Sequence, residues 1–327
     1  MKAKQWILLF ICLFSWTMAR AQDIHFSQID INPILFNPAY SGFFDGTGRF
    51  GLSYRNQWAS VSKAFQTVAA TAEVSLMRRR YYRDGLSLGM MLYSDHAGTL
   101  HYGTTAGSII LSYFKAVGRN NDNFISVAFE TSMGQAGFNT SDILLEDPTE
   151  NLNDKTTTFM TFGAGIAWFY QPDDDRCIKV GIAGRNLNEP NISYLEQEDG
   201  FIYRKITAYS RAEYRAWSNF AILPLVAMLW QNNYTEFMVG SDAKWYISES
   251  NMQRFNMSAG LYYRWRDAAL VQIAAEYNAF TAAISYDANL SKLTPASHTV
   301  GSVELTLLYR LSPSKRPSRR SLPCPII

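Results

Sequence analysis

Four histidines and a run of three aspartates are the side chains with the most chemistry to offer in this chain of 327 residues. His96 follows Asp95 and stands five residues before His101, a spacing that imitates an acid–base pair or a metal site. His25 lies near the N-terminus, and His298 just precedes the last strand-like segment. A hydrolase needs a nucleophile, a histidine and an orienting group on one surface, and none of these histidines falls mid-strand. "QPDDDRC" sets Asp173, Asp174 and Asp175 in a row without the spaced ligands and glycine of a calcium loop. "GRFGLSYR" has glycines but no strand-to-helix context for a phosphate. The residues predict no enzyme, no metal and no cofactor, and the aspartates read as a turn of solvated carboxylates.

The elements that carry these residues are strands. In "TVAATAEVSL", Val68, Ala70, Ala72, Val74 and Leu76 alternate with Thr67, Ala69, Thr71, Glu73 and Ser75, a two-residue repeat with one apolar face. "RFNMSAGLYYRW" and "SVELTLLYRL" repeat the pattern. Lone charges opposite an apolar stripe require one wet face, and Glu73, Glu130, Arg185, Glu213, Gln272, Glu276 and Glu304 are its members. About fourteen segments qualify, near 49–58, 66–77, 85–94, 105–114, 124–134, 158–170, 178–187, 203–215, 221–231, 236–247, 254–265, 268–277, 280–287 and 300–311. The count is even and most lengths suit tilted membrane strands of about 9–11 residues. Links near 95–104, 135–157, 188–202 and 288–299 are long, and those near 171–177, 216–220 and 278–279 short. That alternation predicts an all-β, transmembrane antiparallel β-barrel, both chain ends on the short-turn, periplasmic side. Aromatics near strand ends, among them Trp58, Tyr93, Tyr113-Phe114, Trp168-Phe169-Tyr170, Trp230, Trp245-Tyr246, Tyr262-Tyr263-Trp265 and Tyr309, suit an interfacial girdle. A soluble β-sandwich or propeller is the rival fold.

The N-terminus sets the compartment. Lys2 and Lys4, the apolar run Trp6–Trp16 and Ala19-Arg20-Ala21 have the form of a secretory signal peptide over 1–21. Its removal takes three basic residues and no acid, leaving 27 basic against 28 acidic residues, a balance that asks for no nucleic acid. Cys177 and Cys324 then remain, which is no disulfide scaffold, and nothing in the sequence supports a bridge between them. Aromatics make up 14 % and charged residues only 18 %, a composition for a chain that shows aromatic and apolar surface to something other than water. "FAILPLVAMLW", Phe220–Trp230, is too short to span as a helix and holds Pro224 at its centre.

Residues 22–48 follow no strand period. Asn32-Pro33 and Asn37-Pro38 are turn signals, because proline cannot donate to a ladder and disfavours helix at the preceding residue. Ile34, Leu35, Phe36, Ala39 and Tyr40 between and after them need cover, which predicts a plug in the lumen or across its periplasmic mouth; a disordered tether is the alternative. The domain reading is therefore signal peptide 1–21, Asn-Pro segment 22–48, barrel 49–311 and basic tail 312–327.

Phe26, Ser27 and Gln28 in "HFSQ", the block Asn32-Pro33 to Asn37-Pro38-Ala39-Tyr40 with Gly42, "YRNQW" (Tyr54, Arg55, Gln57, Trp58) and the terminal Cys324-Pro325 together resemble the PorP/SprF family of type IX secretion and gliding motility in Bacteroidetes. "GLSLGMMLYSDHAG", "KVGIAGRNLNEP" and "LYYRWRDAALVQIAAEY" extend the resemblance over essentially the whole mature chain. It implies an outer-membrane barrel without enzymatic activity, in contact with outer-membrane lipid, whose partners are type IX components or the C-terminal domain of a secreted adhesin. The end "CPII", after "SPSKRPSRRSLP", departs from the Cys-Pro-x-Phe of family members, so whatever reads that terminus is in doubt. A diffusion porin or FadL-like transporter of hydrophobic solutes is the alternative function that the barrel itself allows.

Overall fold

The computed structural model describes residues 25–57, 65–79, 84–97, 102–118, 122–138, 155–173, 175–193, 200–249, 253–290 and 300–311. The expected signal peptide, Trp58, His101, Asp174, His298, Cys324-Pro325 and the basic tail lie outside the described residues.

Fourteen antiparallel strands form one closed barrel. They are β1 (Gly48–Gln57), β2 (Phe65–Arg79), β3 (Asp84–Ala97), β4 (Tyr102–Val117), β5 (Asn123–Phe138), β6 (Lys155–Tyr170), β7 (Arg176–Arg185), β8 (Lys205–Trp217), β9 (Phe220–Gln231), β10 (Tyr234–Glu249), β11 (Arg254–Arg264), β12 (Ala268–Tyr277), β13 (Phe280–Asn289) and β14 (Val300–Leu311). Each pairs with its sequence neighbours, and β1 closes on β14 from Gly48↔Leu311 to Gln57↔Ser302. Closure leaves no free edge along the lipid, as a spanning sheet requires.

Polarity is inverted relative to a soluble protein. On β2, Val68, Val74 and Leu76 are exposed while Thr67, Thr71 and Glu73 are buried. On β14, Val303, Leu305 and Leu307 face out, and Ser302, Glu304, Thr306 and Arg310 face in. The seven wet-face residues expected from the alternation all lie on the lumen side, six of them buried and Glu213 half-buried. Of the expected girdle, Trp168, Trp245, Tyr263, Trp265 and Tyr309 do face out. Phe114, Phe169 and Tyr262 instead point into the lumen, because neighbours on a strand take opposite faces.

Strands β4, β5 and β6 run up to four residues past the limits read from the sequence. Their polar ends still form ladders beyond the apolar belt, where hydrophobic alternation carries no signal. The links differ from expectation too. One barrel end has only short turns, from 80–83 to 278–279, whereas the other carries 139–154 and 186–204. At that same end, however, β9–β10 and β11–β12 are joined by two and three residues, Asn232–Asn233 and Trp265–Asp267. Asn232 and Arg266 there adopt positive φ (52° and 60°), as tight hairpin turns demand. Pro224 sits within β9, and the β8–β9 pairing lapses beside it between Arg211↔Leu225 and Tyr214↔Ile222, as a missing N–H dictates. Cys177, buried on β7, is disulfide-bonded, contrary to the unsupported status the sequence left it in.

Candidate functional site: the N-terminal segment in the lumen

Residues His25–Thr47 are largely buried against lumen-facing side chains of the wall. Pro33 and Pro38 each open a short 3-10 turn, Pro33–Leu35 and Pro38–Tyr40, where a missing N–H costs nothing because the first helical donors have no intrahelical partner. Asn37 caps the second turn, its Oδ1 accepting from Ala39 N–H at 2.8 Å. The Asn-Pro repeat thus makes two tight reversals that fold a short chain into a compact filler.

One flank of this filler is apolar. Tyr40 stands edge-on to Phe169 and Tyr209, with ring centroids 5.4 and 5.5 Å away, and Phe43 stacks on Phe169 at 3.5 Å. Ile34, Ala39, Tyr40 and Phe43 are almost fully buried. Two close approaches depend on glycine. A Cβ on Gly165 of β6 would lie 2.3 Å from Asn37 Oδ1, and Gly42, at φ +77°, would drive a Cβ into Ser87.

The opposite flank is polar. Ser27 and Gln28 donate their backbone N–H groups to the Glu304 carboxylate at 2.7 and 3.0 Å. Ser27 Oγ donates to Asp287 at 2.9 Å and accepts from Arg55 and Arg264. Arg55 in turn bridges Asp287 and Glu304 at 3.2 and 3.1 Å. Arg211 is held between Asp30 of the segment and Asp242 of β10, both at 2.7 Å. Asn32 donates to Thr71 at 3.1 Å. Arg185 pairs with Glu130 at 2.9 Å and donates to the carbonyls of Ile34, at 2.7 Å, and Leu35. Glu73 accepts Gly42 N–H at 3.0 Å and binds Arg49 at 2.7 Å. A charge in a closed interior is tolerated only when paired, and here many pairs close through the segment's own atoms.

The segment runs the length of the barrel. Asp45 lies 3.9 Å from Arg254 at the short-turn end, whereas His25 Nε2 lies 3.3 Å from Glu236 near the start of β10, at the long-link end. The expectation that the chain's N-terminal side stays at the short-turn end is therefore corrected as far as His25: a segment ahead of β1 can turn back through the lumen. Burial, then the charges of Arg264, Arg55 and Lys205, hold the His25 imidazole well below the usual histidine range.

The remaining candidates divide cleanly. Phe26 packs beside Leu35, Ala69 and Met91. Arg55 faces the lumen and Tyr54 faces out, accepting from Asn56 at 3.2 Å, and Gln57 ends β1 half-buried. His96 and Asp95 do not converge. His96 bonds Ser94 at 3.0 Å on the outer face, and Asp95 accepts from Thr67 at 2.5 Å on the inner one. Asp173 binds Arg176 at 2.8 Å as an ordinary turn contact. Among the described residues no group of three metal-ligating side chains gathers. Sequence reasoning places Arg264 and Arg310 on the polar faces of their strands with Ser258 and Thr306 but overlooked Arg49 and Arg211 as partners of the lumenal carboxylates; their parity with Ser53 and Thr207 was the signal available.

A closed barrel with an apolar exterior and an ion-paired interior is an integral protein of the outer membrane, with short turns in the periplasm and long links outside. The chain matches the type IX secretion system membrane protein PorP/SprF family over residues 18–309 and belongs to that family. No curated protein matches it. Among solved structures it is similar to the Ralstonia pickettii toluene transporter TbuX, at TM-score 0.51 and 9 % identity over 87 % of this chain and 94 % of that one. The Pseudomonas putida toluene transporter TodX is similar at TM-score 0.49 and 7 % identity over 89 % and 95 %. A Pseudomonas aeruginosa FadL homologue is similar at 0.44 and 11 % over 84 % and 93 %. At such identities the likeness is one of fold.

Proposed function

We propose that this barrel is a plugged docking platform of the type IX machinery, binding the C-terminal domain of a secreted adhesin or periplasmic components of the machine, in secretion or gliding, and passing no solute. What supports this reading is the burial of residues 25–47 against the lumenal side chains of the wall. A cavity between the segment and the wall, beside His25, Leu35 and Lys205, holds about 20 Å³, room for roughly one water. This reading gives the platform no catalytic step; among the described residues the histidines and lumenal carboxylates are dispersed or already paired. Energy for secretion comes from other components.

Purification from detergent tests the docking role. Type IX components or a secreted protein's terminal domain copurify with the barrel, and liposomes carrying it do not swell in small sugars. Swelling at porin rates, with no copurifying partner, favours the transport reading suggested by the toluene transporters and refutes this one.

A further inference from the structure

The wall is uneven at the extracellular end. Strand β6 pairs with β5 along its whole length, from Phe138↔Lys155 to Asn123↔Tyr170. Its ladder with β7 begins only at Ala164↔Gly184. Residues 155–163 therefore stand above β7 with one edge unladdered. The described residues of the link after β7, 186–193 and 200–204, do not close that edge. They fold inward, where Ile192 packs with Phe159, Ala106 and Ala136, and their backbone pairs with itself through Ile192 N–H and Gly200 O at 2.7 Å. Among the described residues of the link, only the first bond to the β6 backbone. Leu187 N–H donates to Phe162 O at 2.9 Å, and the Asn188 amide imitates a peptide group, accepting from Phe162 N–H at 3.2 Å and donating to Met160 O at 2.8 Å.

Those contacts fix the parity. The even-numbered residues of β6 turn their N–H and C=O groups toward the open side, and the odd-numbered ones bond to β5. Among the described residues the Met160 N–H and both backbone groups of Thr156 and Thr158 on that side have no partner. From Thr156 to Met160 the edge holds no charge, no proline and no bulge, the devices by which proteins protect a free edge. Thr156, Thr158 and Met160 are exposed on the outer face. Inward, Phe159 is 6 % exposed and Ile192 lies against it. The stretch is about 16 Å long at strand rise.

We propose that this edge of β6 is a strand-addition site for an extended, uncharged segment of about five residues from a secreted protein. The occupant's backbone supplies the missing ladder bonds to Thr156, Thr158 and Met160. Its alternate side chains are apolar toward Phe159 and small or hydroxylated toward the threonines. A lipid lacks a backbone that can exchange paired donors and acceptors at this spacing, so polypeptide is the chemistry that fits. The site rests on the docking reading above and names its mode of recognition.

Thr158→Pro tests it. Proline deletes an N–H on the open side and leaves the β5 ladder untouched, whereas Thr157→Pro breaks that ladder and reports barrel damage. The probe is the purified C-terminal domain of the secreted protein that leaves the cell surface when the barrel is deleted. Wild type binds this domain, and Thr158→Pro, with a heat-modifiable barrel band like wild type, binds it roughly tenfold more weakly or worse. A benzoylphenylalanine in place of Thr158 crosslinks to the domain in otherwise unaltered barrel. Wild-type binding by Thr158→Pro, or crosslinks confined to the barrel's own links or a second copy, overturns the strand-addition site and leaves docking standing. A wild-type barrel that binds neither the domain nor periplasmic components removes both.

Discussion

Replacing Arg185 by Met strands three groups at once. Glu130, 1 % exposed, loses its partner at 2.9 Å, and the carbonyls of Ile34 and Leu35 lose their donors. A buried charge left unpaired costs about 3–5 kcal/mol, and each stranded carbonyl about 1–3 kcal/mol. All three are relieved if the segment leaves and the lumen floods, so the cost falls on docking rather than on the barrel, whose ladders do not involve the Arg185 side chain. The orphaned carboxylate alone shifts the docked–undocked balance by about 3–5 kcal/mol, or two to nearly four powers of ten in the open population, and the carbonyls add to it. The assay is limited proteolysis in detergent, following loss of residues 25–47 from an intact barrel. Adding Glu130→Gln removes the orphaned charge, and the double variant recovers part of the protection, leaving about 2 kcal/mol from the carbonyls. If Arg185→Met is cleaved at a rate within about threefold of wild type while the barrel stays folded, the segment is not held through this arginine.

Two further perturbations probe the same seat. Gly165→Val places a methyl-bearing Cβ where Asn37 Oδ1 is 2.3 Å away, so the Asn-Pro turn shifts at a cost of about 1–3 kcal/mol; segment cleavage accelerates while the strand, given a better β-former, keeps its thermal stability. His25 is held neutral by burial and by Arg264, Arg55 and Lys205. Its folded pKa lies below its unfolded value of about 6.5, so protons favour the released segment, and docking weakens as pH falls from about 6.5 toward 5. Protease protection measured across that window shows the loss, and His25→Asn flattens it; an unchanged profile in the variant assigns the effect to other groups.

How much was legible follows from what each signal reports. Strand number and facing were readable because lipid imposes apolarity on every second residue, as from Val68 to Leu76, and because Glu73 or Glu304 mid-strand admits only a wet lumen. The ends of β4, β5 and β6 were not, since above the lipid their threonines and glycines carry no alternation to read. The open edge at Thr156–Met160 was invisible for the same reason, since it depends on where β7 stops and on Asn188 folding back. The Asn-Pro segment announced its turns, but not its direction.

The amino-acid order by itself decided that this chain crosses a membrane as strands, which side of each faces lipid, and that residues 32–42 reverse direction twice, because these are short-range consequences of side-chain period and proline geometry. Which carboxylate meets which arginine was settled only by closure. Ser27 meets Glu304 across 277 positions, and Arg211 joins Asp30 to Asp242, because pairing β1 with β14 rolls every wet face onto one axis. Buried charges in that confined space are stable only when paired, and the segment threading the lumen adds its own donors and acceptors to pairs that the wall already makes.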